Sequence, residues 1–68
     1  MKYLIIYDIP REKKSLLVKV NRALRCTRAE KIQHSVWESE NLSVLKRIAN
    51  EIKREGGTAN ILEKKIIF

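Results

Sequence analysis

Two stretches of this 68-residue sequence repeat their apolar residues with the period of an amphipathic helix, which limits the folds open to the chain. From about Pro10 to Arg25 the apolar side chains share one arc of a helix: Leu16, Leu17, Val20, Ala23 and Leu24. The second stretch begins near Asn41 or Ser43, either of which can cap a helix, and ends at Gly56-Gly57. Each predicted helix has one apolar face that another layer of structure must cover.

The remaining segments have the composition of strands. Met1–Tyr7 is apolar and aromatic and is too short for a helix before Pro10, which favours a buried strand. Ala29–Glu38 is rich in strand formers, and the stretch Gln33-His34-Ser35 can bend it or split it into two short strands. Thr58–Phe68 is a last extended segment. The element order β-α-β(β)-α-β predicts a single domain over residues 1–68.

Packing both helices on one face of an antiparallel sheet buries both apolar helix faces, so the sequence predicts an α+β, ferredoxin-like βαββαβ sandwich. The opposite face of the sheet would then be bare, which predicts a partner protomer. The small size of the chain also predicts a partner protomer, because a domain this small buries only about 60 % of the surface of its unfolded chain. The single cysteine, Cys26, excludes an internal disulfide as a stabiliser. We therefore expect a homodimer.

The charge of the chain favours a polyanionic partner. Fifteen lysines and arginines against eight acids give a net charge of +7, and the excess is concentrated in residues 1–34, with nine basic and three acidic side chains. The alternative is a solvated, lysine-rich surface. No purely apolar run, Leu4-Ile5-Ile6 included, is longer than three residues. Such runs are too short for a membrane span or a signal peptide, which predicts a cytoplasmic protein without membrane association.

Asp8 follows the first predicted strand and has two interpretations. In the first, its carboxylate caps the following helix by accepting backbone N–H bonds near the positive helix end. In the second, it is a hard oxygen ligand for Mg²⁺ or Mn²⁺, which are usually held by one or two carboxylates together with water and phosphate oxygens. The spacing of the residues does not choose between these interpretations.

Other polar candidates are weaker. His34 is the sole histidine and lacks an identifiable carboxylate to orient it, and Ser35 lacks the glycines of a nucleophile elbow. Trp37 is more typical of a core or interface residue than of a base-stacking platform. Cys26 is most simply a small, half-buried residue.

The segment Tyr3-Leu4-Ile5-Ile6-Tyr7-Asp8-Ile9, a basic helix, and then Lys31-Ile32-Gln33-His34-Ser35-Val36-Trp37-Glu38 resembles the CRISPR-associated protein two family, the small subunit of the spacer-acquisition machinery. The resemblance implies a ferredoxin-like homodimer with its sheets face to face. It also implies that the two Asp8 carboxylates meet across the two-fold axis and bind Mg²⁺ or Mn²⁺. Tyr7, Asp8 and Ser35 match the motifs directly, Lys31 stands at the usual basic position, and Trp37 stands where the family generally has phenylalanine.

The sequence also departs from the family. Lys13 and Lys14 are only approximate counterparts of the arginines that often follow the aspartate. Many members continue into a further strand that crosses to the partner and contacts the integrase, and Ile66-Ile67-Phe68 resembles a stub of that strand.

Four functions therefore remain open, the last of them a plain RNA-binding ferredoxin-like module. The first is a prokaryotic CRISPR antiviral-defence nuclease that uses Asp8 and a divalent metal to cleave RNA or double-stranded DNA. The second is a non-catalytic DNA-binding scaffold for the CRISPR-associated integrase. The third is a related ribonuclease toxin of the virulence-associated protein D type. The expected nucleic-acid contacts are Arg11, Lys14, Arg22, Arg25 and Lys31, and the expected supporting residues of the site are Tyr7, Ser35 and Trp37.

Overall fold

A computed structural model describes residues 1–67 of the chain. Its elements, in chain order, are β1 (Tyr3–Asp8), α1 (Lys14–Cys26), β2 (Glu30–Gln33), β3 (Val36–Ser39), α2 (Leu42–Arg54) and β4 (Thr58–Glu63). The strands form one antiparallel sheet in the order β2-β3-β1-β4, with both helices packed on one of its faces. The predicted α+β class is confirmed, and the arrangement is compatible with a ferredoxin-like fold. The predicted split of the middle extended segment is also confirmed, because two residues, His34 and Ser35, separate β2 from β3.

The core lies between the helices and one face of the sheet. It includes Ile5, Tyr7, Trp37 and Ala59 from the strands, Leu16, Val20 and Leu24 from α1, and Leu45, Ile48, Ala49 and Ile52 from α2. The helical residues in this set recur every three or four positions, so the apolar faces predicted from periodicity are the buried faces.

The start of α1 differs from the prediction. The helix begins at Lys14 and not near Pro10, because residues 10–13 form a turn that the Lys13 N–H closes by donating to the Pro10 carbonyl at 2.9 Å. Lys13 occupies the N-cap position, and its side chain makes no capping hydrogen bond to the helix. Asp8 is still in β1, so the interpretation of Asp8 as a helix cap is wrong. The predicted cap of α2 is confirmed at Asn41, whose Oδ1 accepts the Val44 N–H at 3.2 Å.

The last segment is extended only in part. β4 ends at Glu63, and the Lys64 N–H then donates to the Lys2 carbonyl at 2.9 Å. Ile66 and Ile67 are exposed and belong to no strand. Phe68, the last residue of the suggested strand stub, lies outside the described residues.

Neither helix within residues 1–67 is long and apolar enough to cross a membrane.

A buried chain of hydrogen bonds ties the sheet to α1. The Trp37 Nε1–H donates to the Tyr7 hydroxyl at 3.0 Å, and the Tyr7 hydroxyl donates to Asn21 Oδ1 at 3.1 Å. Burial raises the pKa of Tyr7 above its ordinary value, although the bond from Trp37 acts in the opposite direction. The hydroxyl therefore stays protonated at neutral pH, as its donor role requires.

Replacing Tyr7 with phenylalanine should leave the Trp37 indole N–H and the Asn21 carbonyl oxygen without this partner. Because unsatisfied buried polar groups are unfavourable, we expect Tyr7→Phe to lower the free energy of unfolding by about 1–3 kcal/mol. Urea denaturation of both proteins measures this difference. Tyr3→Phe is the matched control, because among residues 1–67 the Tyr3 hydroxyl is bonded only to Met1 Sδ, at 3.6 Å in an exposed position. Equal effects of the two substitutions would contradict the role assigned to the network.

Candidate nucleic-acid and metal site

Asp8 is the last residue of β1 and is exposed on the sheet face that the helices leave open. Successive residues of a strand point to opposite faces, so the burial of Tyr7 under the helices directs Asp8 the other way. In the sheet, Asp8 is paired with Thr58 of β4. Its carboxylate forms no ion pair with any other residue of the segment 1–67. The group is therefore free to bind a cation from solution or from a second protomer.

The position of Asp8 is fixed from behind by the end of α2. A Cβ atom added at Gly57 would lie 2.5 Å from the Asp8 carbonyl oxygen, so only glycine permits this approach of the two backbones. The Gly57 N–H also donates to the Ile52 carbonyl at 2.9 Å, which holds the turn against the helix. The Gly56-Gly57 pair thus does more than end α2, since it packs that helix end against the strand end that carries Asp8.

The His34-Ser35 turn lies at the same end of the sheet. The Ser35 carbonyl accepts the Tyr7 N–H at 3.2 Å, one residue before Asp8. Ser35 has a φ of 67°, a left-handed conformation that is unfavourable for most residues other than glycine and asparagine. The serine of the matched motif is therefore a strained turn residue beside the candidate site.

A basic groove continues from this turn onto the start of α1. It is lined by Ile9, Pro10, Arg11, Lys13, Lys14, Leu17 and His34. Lys13 is paired with Glu55 at 3.0 Å, whereas Arg11 and Lys14 form no ion pair with the described residues. The structure thus brings two of the predicted nucleic-acid contacts, Arg11 and Lys14, to the same end of the molecule as Asp8. The sequence predicted that His34 lies in the turn before Ser35, but it did not predict that His34 lines this groove.

The other predicted contacts lie elsewhere. Arg22 and Arg25 are exposed along α1, where they line a shallow groove with Val18, Asn21 and Cys26. They are eight and eleven residues beyond Lys14, or about 12 and 16 Å along the helix axis. Lys31 is exposed in the edge strand β2, opposite Trp37 in the register. The five predicted contacts therefore form at least two separate basic areas.

Two of the predicted supporting residues, Tyr7 and Trp37, lie under the helices and not on the exposed face. They are 6 % and 2 % exposed, and their side chains bond to each other. They can support the site only indirectly, by fixing β1 and β3 in place. The expectation that Trp37 is a core residue is confirmed, whereas the expectation that Cys26 is half-buried is wrong, because Cys26 is exposed at the end of α1.

An ionic cluster on the open sheet face was not expected from the sequence. Glu38 of β3 is 5 % exposed because two lysine side chains cover it. Lys64 Nζ donates to Glu38 Oε1, and Lys2 Nζ lies 3.3 Å from Glu38 Oε2. The hydrogen bond from Lys64 is the main cause that lowers the pKa of Glu38, with a further contribution from Lys2. The cluster joins the residues that flank β1 and β4 to the strand β3.

At this site, one chain provides a single carboxylate ligand for a divalent metal, that of Asp8. No group of three or more histidine, cysteine, aspartate or glutamate side chains within residues 1–67 is arranged to hold a metal ion. Mg²⁺ usually keeps several waters and takes one or two protein carboxylates together with phosphate oxygens. The exposed, unpaired Asp8 fits such a site when a second Asp8 or a phosphate supplies the next ligand.

The Glu38 cluster makes the stability of the fold sensitive to acid. A carboxylate with a lowered pKa in the folded state stabilises the fold above its unfolded pKa and loses that contribution as the pH falls through the folded value. We expect Glu38→Gln to be destabilised at pH 7 and to approach wild-type stability below about pH 4, the ordinary range of glutamate. Denaturation curves at several pH values test this. Glu63→Gln is the control, because Glu63 forms no ion pair within the described segment, and a pH-independent difference for Glu38→Gln would contradict the assignment.

Comparisons with known proteins do not assign the chain to a group. No protein-family model matches it, and no curated protein matches it. The arrangement of Asp8, the open sheet face and the exposed basic side chains is therefore the basis for inferring its function.

Proposed function

We propose that this chain acts as a homodimer that binds nucleic acid and, in the manner of the CRISPR-associated protein two family, pairs two Asp8 carboxylates around a divalent cation to hydrolyse phosphodiester bonds. One observation carries the proposal. Asp8 is an exposed, unpaired carboxylate at the end of a central strand, on the one sheet face that has no covering layer within residues 1–67. A second copy that covers this face brings a second Asp8 into the same region.

The open face has the composition of a surface that another layer covers. Ile6 of β1 is 38 % exposed and Leu62 of β4 is 49 % exposed, and the half-buried Leu4 lies opposite Leu62 in the register. Ile6 is also opposite the half-buried Val36 of β3. Adjacent exposed apolar side chains on a sheet face are typical of an interaction surface. The Glu38 cluster adds fixed charges that a partner surface must match.

The chemistry of Asp8 follows from its environment. Two carboxylates brought together repel each other unless a cation lies between them, so a divalent ion and the dimer should stabilise one another. When bound, Mg²⁺ or Mn²⁺ supplies an activated water and stabilises negative charge on the phosphate oxygens. Arg11 and Lys14, at the same end of the molecule, would hold the flanking phosphates of the substrate.

Asp8→Asn removes the charge and keeps the size of the side chain. We expect Mg²⁺- or Mn²⁺-dependent cleavage of RNA or DNA to fall by about 100-fold or more, the scale for loss of a group that stabilises transition-state charge. We also expect Mg²⁺ to tighten the wild-type dimer but not the Asp8→Asn dimer. Cleavage of labelled oligonucleotides and sedimentation with and without Mg²⁺ measure the two effects.

Thr58→Val is the matched control for Asp8→Asn, because Thr58 is the register partner of Asp8 and has no charge. Cleavage by Asp8→Asn at the wild-type rate, together with a dimer that does not respond to Mg²⁺ in either protein, would exclude Asp8 as a metal ligand. If only the wild type cleaves, and it does so as a monomer, Asp8 keeps its role as a metal ligand. The pairing of two Asp8 carboxylates would then be excluded.

A scaffold role is favoured by a separate observation. Arg22 and Arg25 are exposed on α1, form no ion pair with the described residues and lie well away from Asp8. A dimer carries this basic area twice, so it can track the phosphates of a duplex without using Asp8. Lys19, by contrast, is paired with Glu51 of α2 at 3.0 Å, and its charge is therefore less available to a phosphate.

Charge reversal at both positions, Arg22→Glu with Arg25→Glu, should weaken binding to duplex DNA and flatten its salt dependence. For every phosphate that the variant no longer neutralises, the slope of log affinity against log salt should decrease in magnitude by about 1. Fluorescence anisotropy at several salt concentrations measures this slope. Arg47→Glu with Lys53→Glu on α2 makes the same change in net charge and is the control. An equal reduction of affinity in both double variants would mean that binding follows total charge and not the α1 surface.

A further inference from the structure

The two edge strands of the sheet are protected very differently. β2 has four residues, includes the charged Glu30 and Lys31, and is interrupted by a register shift between Lys31 and Gln33. Such charges and irregularities prevent a further strand from adding to an edge. β4 has six residues in continuous register with β1, and its side chains from Thr58 to Leu62 are uncharged. The free edge of β4 is therefore a regular, unprotected row of backbone N–H and C=O groups.

A groove runs along this free edge, between β4 and α2. The helix lines it with Lys46, Ala49, Asn50 and Lys53, and the strand lines it with Ala59, Asn60 and Ile61. The buried or half-buried members of this set are apolar and form the floor of the groove, whereas the lysines and asparagines are exposed and form its rim. This groove is distinct from the open sheet face, and its strand residues begin at Ala59, next to Thr58, the register partner of Asp8.

The charge of the groove has one sign. Lys46 and Lys53 are exposed and form no ion pair with any residue of the described segment, and no acidic side chain of that segment lines the groove. The neighbouring Arg54, in contrast, is paired with Glu51 at 3.4 Å. Lys46 and Lys53 are seven residues apart on α2, or about 10 Å along the helix axis, so they offer two separate positions for carboxylates.

We propose that this groove binds an extended acidic segment of another protein, which adds to the β4 edge as a further strand and places its carboxylates beside Lys46 and Lys53. Strand addition explains the regular edge, because a peptide backbone supplies both donors and acceptors to pair with it. A nucleic-acid backbone has no N–H groups to donate to the β4 carbonyls. A second copy of β4 fits less well, because Thr58–Leu62 brings no carboxylate to the lysines.

The experiment uses the full chain and a ten-residue peptide that alternates valine and glutamate. We expect the peptide to bind and to slow hydrogen exchange at amides of Thr58–Leu62, measured by NMR. Lys46→Glu with Lys53→Glu should weaken binding by about tenfold or more, because like charges then face the glutamates. Arg22→Glu with Arg25→Glu, which changes the net charge equally on α1, should leave binding within about twofold of wild type.

Two altered peptides separate strand addition from charge attraction. Methylation of alternate backbone nitrogens, on the peptide edge that would face β4, should abolish binding because it removes the donors to the β4 carbonyls. A valine–lysine peptide should not bind. Equal binding of the methylated peptide, unchanged exchange in Thr58–Leu62, or equal weakening by the α1 double variant would each overturn the proposal. Protection of the same amides by a single-stranded oligonucleotide, but not by the peptide, would also overturn it. None of these outcomes depends on metal binding or cleavage at Asp8.

Discussion

The pleat of β1 is the constraint on which the rest of the structure depends. β1 lies in the middle of the sheet, with β3 on one side and β4 on the other, and both neighbours fix its register. Tyr7 points into the core, where Trp37 and Asn21 hold its hydroxyl, and Asp8 must then point to the open face. A shift of one residue would exchange the two faces, burying an aspartate and exposing a tyrosine. The exposure of the candidate metal ligand is therefore a consequence of how its neighbour is buried.

The two faces of the sheet are stabilised by different interactions. Under the helices, the core is mainly apolar, with the hydrogen bonds of the Tyr7 hydroxyl inside it and the buried Ser39 at the end of β3. On the open face, Glu38 attracts Lys2 and Lys64 and so connects three strands through charge. Exposed apolar residues lie on that same face, so a partner that covers it must bury both kinds of surface. In the dimer that we propose, this combination would define the orientation of the two copies, because apolar contact alone does not specify one.

The distribution of free positive charge matters more than its total. The net charge of +7 is a property of the whole chain, but ion pairs decide which cations face solvent. Glu51 of α2 pairs with Lys19 of α1. Glu55, at the C-cap of α2, pairs with Lys13, at the N-cap of α1, so both ion pairs also join the helices. The cations left without an acidic partner in the described segment include those near Asp8, those along α1 and those beside the β4 edge.

The sequence by itself determined the order of the elements, the buried faces of both helices and the end of α2 at its glycines, and it narrowed the cap of α2 to Asn41 or Ser43. These features are local, because they depend on residues within one or two turns of each other. It also placed Asp8 at the end of an apolar strand, but it left the cap and ligand interpretations equally compatible with the spacing. Only the tertiary structure decided between the cap and an exposed carboxylate, because a turn at residues 10–13 delays the start of α1. Three further features are visible only in the tertiary structure, because each depends on contacts between residues distant in the chain. They are the ionic cluster around Glu38, the close approach of Gly57 to Asp8, and the distinction between paired and unpaired lysines.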